Sequence, residues 1–160
     1  MVKKIKLNKG FTVVDDADYK RFNQYNWYLN AGGYVIRTIT VGDWRDGKRK
    51  SILLHRLINN TPDGVCTDHA NGDKLDNRRS NLRDATRRQN SINKRVCSHT
   101  SSKYKGVHRL KANGRWQSYI NVEGKLRHLG TFKKERDAAL AYNAASKKFH
   151  GKFSKLNKIA

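Results

Sequence analysis

Acidic residues are scarce in this 160-residue sequence: 13 Asp and Glu stand against 35 Lys and Arg, for a formal net charge of +22. An excess of that size repels itself in a compact fold unless a polyanion neutralises it, and nucleic acid is the default polyanion. Cysteine is scarce too. Cys66 and Cys97 cannot staple several loops, so the chain reads as cytoplasmic. No apolar run approaches the length of a bilayer span. The opening Met1-Val2-Lys3-Lys4-Ile5-Lys6 is followed by no apolar stretch of the signal-peptide kind. No long amphipathic basic helix is visible that would lie on a membrane, and there is no internal repeat. Disorder is disfavoured by 3 Trp, 7 Tyr and 5 Phe and by alternating apolar runs able to build a core.

The charge is unevenly spread. Residues 101–160 hold 15 Lys and Arg against 3 Asp and Glu, whereas residues 51–100 hold 9 against 5. The last third is the electrostatic anchor, and the middle keeps the carboxylates that a cation site needs.

Three segments follow along the chain. Up to about residue 60, short apolar runs (Ile5 to Leu7, Phe11 to Val14, Tyr34 to Ile39, Ile52 to Leu54) alternate with turns at Gly32-Gly33 and Asp46-Gly47, which is strand-and-hairpin chemistry. Asp15 or Asp16 can cap a short helix reaching Tyr25. This segment reads as a supporting sheet that also touches the nucleic acid. From about 61 to 95, Val65 to His69 suits a strand, Asn71-Gly72-Asp73 a turn, and Asn81 to Ala85 a returning strand. Thr86 with Gln89 three residues later is a capping box that opens a helix. Residues 96–103 are small, polar and hydroxyl-rich, a linker. In the third segment Tyr104 to Leu110, Arg115 to Val122 and Lys125 to Phe132 read as strands. Turns fall at Asn113-Gly114 and Glu123-Gly124. A helix then runs from about Lys134 to His150 with Ala138, Tyr142, Ala145 and Phe149 on one apolar face.

The middle segment carries groups suited to phosphodiester hydrolysis, which needs a base for water, a cation for the phosphate charge and a device that holds the base still. Asp68 and His69 are adjacent on a strand and so face opposite ways. Asn90 sits in the first turn of the next helix. A carboxylate and an amide oxygen suit a hard cation such as magnesium, which leaves His69 to act near neutral pH. His55, among Leu53, Leu54, Leu57 and Ile58, reads as a packed or phosphate-touching histidine. A tetrahedral zinc site from Cys66, His69, Cys97 and His99 is the competing reading; it would consume His69 and place Cys97 and His99 at an unusual spacing in a loose linker.

Leu54-His55-Arg56-Leu57-Ile58, the run Asp68-His69-Ala70-Asn71-Gly72-Asp73-Lys74-Leu75-Asp76-Asn77-Arg78, Ser80-Asn81-Leu82-Arg83-Asp84-Ala85-Thr86 and Gln89-Asn90 resemble the HNH homing endonucleases of phages and introns. The resemblance implies His69 as general base, Asp68 and Asn90 as ligands of one magnesium or manganese ion, and Asn81 as a brace for the loop carrying His69. Asn90 stands where the last histidine of HNH is expected, a departure shared by phage enzymes of this type. A phage origin would place the protein in the host cytoplasm or nucleoid.

Tyr104-Lys105-Gly106-Val107, Gly114-Arg115-Trp116, Leu129-Gly130-Thr131-Phe132, Ala138 to Ala145 and Leu156-Asn157 resemble the APETALA-type ethylene-response-factor domain. There a three-stranded antiparallel sheet packed on one helix enters the major groove of DNA. Periodicity separates Trp116, Ser118, Ile120 and Val122 from Arg115, Gln117, Tyr119 and Asn121, and the second face is rich in hydrogen-bond donors. The resemblance puts Lys105, His108, Arg115, Gln117, Tyr119 and His128 on DNA, with Arg109 and Arg127 at phosphates or in solvent. Many members have Arg at the positions of Lys105 and His108, so the target sequence does not transfer.

The expected architecture is α+β: an HNH module over 1–95, with a ββα-metal core at about 50–95, the linker 96–103 and a DNA-binding domain over 104–160. The expected function is site-directed cleavage of double-stranded DNA, with no small-molecule substrate and no membrane partner. The alternatives are a DNA-binding regulator with an inactive HNH core and a general nucleic-acid coating protein. An intact set of Asp68, His69, Asn81 and Asn90 argues against the first. The second needs aromatic platforms for single strands, yet several aromatics fall on expected core faces.

Overall fold

Alternating side chains decide the opening elements. Val2–Lys6 (β1) and Phe11–Asp15 (β2) pair antiparallel, with Ile5, Thr12 and Val14 inward and the lysines outward. The computed structural model describes residues 1–42, 47–93 and 101–159, which divide into the units Met1–Arg87 and Arg88–Ala160. Asp15 takes the N-cap position of Asp16–Phe22 (α1), but its carboxylate accepts the Arg79 amide at 2.8 Å instead of capping the helix. The helix stops at Phe22 rather than Tyr25. The Trp27 indole N–H and the Tyr25 amide both donate to the Phe22 carbonyl, at 2.8 and 3.3 Å, and turn the chain.

Tyr28–Leu29 (β3), Val35–Val41 (β4) and Lys48–Leu53 (β5) form an antiparallel sheet in the order β3-β4-β5. Of the turn expected at Asp46-Gly47, Asp46 lies outside the described residues. The strand expected to run through Leu54 ends at Leu53, because Leu54 opens the helix Leu54–Asn59 (α2). Leu54 and Ile58, four residues apart, share a helix face and join Ile5, Val14, Phe22, Trp27, Val35 and Leu82 in the core. Burial of each such side chain contributes about 1.5–3 kcal/mol. Cys66–His69 (β6) and Leu82–Ala85 (β7) make a two-stranded antiparallel sheet, and the long loop between them ends in a 3-10 turn at Arg79–Asn81.

Arg87–Ile92 (α3) starts directly after Thr86 and leads into the second unit. There Val107–Arg109 (β8), Trp116–Val122 (β9) and Lys125–Phe132 (β10) form an antiparallel sheet in the order β10-β9-β8, packed on Glu135–His150 (α4). Glu123 and Gly124 both have positive φ, 53° and 83°, the two-residue turn whose twist matches a hairpin. Gly106 has φ +73°, and a Cβ there would run into the Tyr142 ring and lie 2.5 Å from the Tyr119 carbonyl oxygen. Only glycine permits β8 to start beneath the helix. The buried stripe of α4 is Ala138, Ala139, Tyr142, Ala145 and Ser146. Phe149, expected in that stripe, is a surface ring covered by the Arg127 guanidinium at 5.2 Å; the ring buried near this helix end is Phe153.

Candidate active site

At the end of β6, Thr67, Asp68 and His69 are all buried. Asp68 is registered opposite Arg83 on β7, whose Nε and Nη2 donate to Asp68 Oδ2 at 2.8 and 2.6 Å. His69 takes a separate partner: its Nε2 lies 3.2 Å from Asn77 Oδ1. Asn81 spans the loop that follows. Its side-chain oxygen accepts the Asn71 amide at 2.9 Å, its side-chain nitrogen donates to the Asp76 carbonyl at 2.7 Å, and its own carbonyl accepts the Ala70 amide. Arg78 grips both oxygens of Asp76 at 2.7 Å, with Asn71 on Oδ2. The Arg78 bonds hold the Asp76 carboxyl below its usual range despite some opposing burial.

The N-terminal segment ties this loop down. Val13 donates to the Leu75 carbonyl and accepts from the Asn77 amide, each at 2.8 Å. Arg79 forms a two-pronged ion pair with the buried Asp18 of α1, at 2.7 and 2.8 Å. The His55 ring is 5.1 Å from that of His69 and 5.2 Å from that of Tyr34. Lys74 lies over the Tyr34 ring, 4.2 Å from its centre, and bonds to the Gly32 carbonyl.

Both histidines are kept neutral. Burial, then neighbouring His69 and Arg56, lowers His55 to about 3. Burial also lowers His69, against the opposing Asn77 hydrogen bond and the charges of Asp68, Asp73 and Asp76. A neutral imidazole can accept a proton, and the anchored Asp68 carboxylate can accept cations. Burial raises the Tyr34 phenol, with Asp68 adding to the effect, so this ring stays un-ionised beside the site. Asn90 is half-buried on α3, in the second unit. Among the described residues no group of three or more His, Cys, Asp or Glu is arranged to hold a metal. In the zinc alternative, Cys97 and His99 lie outside the described residues, and Cys66 is a half-buried free thiol.

Residues 60–92 match the family model described as HNH endonuclease. An uncharacterized HNH endonuclease of Acanthamoeba polyphaga mimivirus is 34% identical over 143 residues, covering 86% of this chain and 69% of that protein. The chain belongs to the HNH endonuclease family. It is a DNA endonuclease, a hydrolase of phosphodiester bonds, and nucleases of this family generally use divalent metal ions. The aligned stretch is longer than either unit, so the kinship with the mimivirus protein runs through both.

Sequence reasoning gave no role to Asn77, Arg83 or Tyr34 of this HNH endonuclease. Asn77 and Arg83 sit inside the quoted motifs, and Arg83 was signalled by its place opposite Asp68 in a hairpin. Tyr34 lies far away in sequence, and only folding brings it to His69.

The second unit of the endonuclease presents an open sheet face, opposite α4. His108 stacks on Tyr119 with ring centres 4.9 Å apart and 15° between planes, and His128 meets the other side of Tyr119 at 4.9 Å. Gln117 Oε1 accepts the Tyr119 hydroxyl at 3.2 Å and lies 3.2 Å from His108 Nε2. Four of the expected DNA-facing residues thus form one cluster across three strands. Arg115 is exposed at the start of β9. Lys105 differs: it is half-buried, its amine bonds to the Ile92 carbonyl, and burial followed by nearby Lys155 lowers its pKa. Arg109 packs over Trp116, 5.8 Å from its ring centre. No helix among the described residues is long and apolar enough to cross a membrane.

Proposed function

We propose that this endonuclease is site-directed and metal-dependent, cuts double-stranded DNA, and serves homing or self-spread within a phage genome. The observation that carries the reading is His69, buried, neutral and with its Nε2 on Asn77, next to the anchored Asp68 carboxylate. His69 acts as general base. As the water oxygen bonds to phosphorus and the phosphorus–oxygen bond to the leaving strand breaks, His69 takes the water's proton and solvent protonates the leaving oxygen.

Asp68 and Asn90 offer a carboxylate and an amide oxygen, hard donors that fit one magnesium or manganese ion, with substrate phosphate supplying further oxygens. Such an ion, when bound, neutralises charge that builds on the phosphate. Asn81 braces the loop, and Arg83 keeps the Asp68 carboxylate aimed. The second unit acts as an APETALA-type reader: His108, Arg115, Gln117, Tyr119 and His128 face DNA, and Lys105 adds charge nearby. Lys48, Arg49 and Lys50, exposed on β5, give the first unit its own phosphate contacts.

The test is cleavage of a target plasmid by the intact chain in EDTA, then with magnesium or manganese restored. Cutting is expected only after restoration. Equal cutting in EDTA would overturn the metal assignment.

A further inference from the structure

A buried chain of hydrogen bonds starts at backbone that can only accept and ends on His69. The Leu75 carbonyl has no hydrogen to give, so the Thr12 hydroxyl donates to it at 2.7 Å. The lone pairs of Thr12 Oγ1 then receive Asn77 Nδ2 at 2.8 Å. The same nitrogen points at the Lys74 carbonyl, 3.3 Å away, a second group that only accepts. These two partners fix the orientation of the Asn77 amide. Its Oδ1 is therefore the end that meets His69 Nε2 at 3.2 Å, and an amide oxygen accepts only. The ring nitrogen facing it must carry the hydrogen. Thr12 and Asn77 are both 0% exposed, so water does not compete for these bonds, and the directions propagate without an alternative.

We propose that Asn77, anchored by Thr12, is the positioning residue that locks His69 in the tautomer with its proton on Nε2, leaving Nδ1 as the nitrogen that takes the proton from the attacking water. The proposal rests on the reading of His69 as base and adds to it the atom that acts and the residues that select it. It gives Asn77 and Asn81 separate tasks: Asn81 shapes the loop through its backbone, and Asn77 orients the ring. It also gives the first strand pair a part in catalysis, since Thr12 reaches the site from β2 across 65 positions of sequence. The chain belongs to the general pattern in which a second group sets the tautomer of a working histidine by bonding its other nitrogen.

Two measurements on the full chain test it. In nitrogen-15 spectra of the imidazoles, with the His69 signals identified by their loss in His69→Ala, Nε2 is expected to be protonated and Nδ1 not. The opposite tautomer would overturn the proposal. In magnesium-supported cleavage, Asn77→Leu is expected to lower kcat tenfold or more, the scale on which supporting partners of site residues act, with KM little changed. Thr12→Val and Thr12→Ser form the sharper pair, because they separate the hydroxyl from the packing. Valine keeps the volume and loses the hydrogen bonds, whereas serine keeps the bonds and loses a methyl. Orientation through Thr12 predicts the larger kcat loss for valine; a packing role alone predicts it for serine, and that order would refute the lock even if Asn77→Leu fails to fold. Full activity of His69→Ala defeats the base assignment itself. An inactive His69→Ala beside Asn77→Leu at undiminished kcat defeats only the lock.

Discussion

Of the side chains between His69 and Asn81, three reach other parts of the first unit: Asn77 ends on Thr12, Arg79 on Asp18, Lys74 on the Gly32 carbonyl. On the open sheet of the second unit they end on one another, His108 and Tyr119 on Gln117. The contrast follows from burial. A buried polar group left without a partner costs about 1–3 kcal/mol, so the buried Asp18, Asp76 and Asn77 are stable only with their partners in place. An exposed face has water as a standing partner and can exchange it for a ligand at little cost. The first arrangement suits groups that must stay fixed, the second a surface that exchanges water for a ligand.

The strongest way to break this comparison is at the proposed base. His69→Ala is expected to lose about 100-fold or more in cleavage, in the range for positioned acid–base catalysis, while gel-shift affinity stays near that of the intact protein. Near-normal cutting by the folded variant would remove His69 from the role proposed for it. Gly106→Ala comes next, on the other side. The strained φ and the clash with Tyr142 are expected to cost about 2–4 kcal/mol, seen as a lowered unfolding midpoint and weakened DNA binding. Unchanged melting would mean β8 does not start where Gly106 puts it.

Acid should separate the units further. His55 is lowered to about 3 in the fold, against about 6.5 in the unfolded chain. As pH falls below 6.5 the unfolded state takes up a proton that the folded state does not. The stabilisation is therefore complete above pH 6.5 and is lost as pH falls toward 3, at about 1.4 kcal/mol per pH unit from this group. Denaturant titrations at pH 7, 5 and 4 measure the slope, and His55→Phe should flatten it; an identical slope in the variant would show that His55 titrates normally. The smallest effect is expected at Arg115, exposed and reading at most one base edge. Arg115→Ala should weaken binding by about 1 kcal/mol and relax preference at one position. A uniform loss across sequences, with a shallower salt dependence, would make it a phosphate contact instead.

Local rules placed the hairpin β6–β7, the start of α3, the three strands and helix of the second unit, and the separation of its two faces. Each depends on neighbours in sequence: period-two alternation, a capping pair, glycines in tight turns. They placed Phe149 wrongly because helical spacing says which side a residue is on, not whether anything packs there. They ran α1 to Tyr25 because the bond from the Trp27 indole that helps stop it belongs to a residue beyond the helix.

The sequence by itself determined that the partner is a polyanion, since 35 basic residues against 13 acidic ones must be neutralised by something. It also determined which residue types could perform hydrolysis and where they recur at nuclease spacing. Tertiary structure alone decided how they are held. Val13 stitching the loop at Leu75 and Asn77, Asp18 receiving Arg79, Tyr34 and His55 beside His69, and Thr12 behind Asn77 join positions separated by up to 65 residues. No periodicity or spacing rule reaches that far, because such partners are chosen by the burial of the whole unit and by the need of every enclosed donor to find an acceptor.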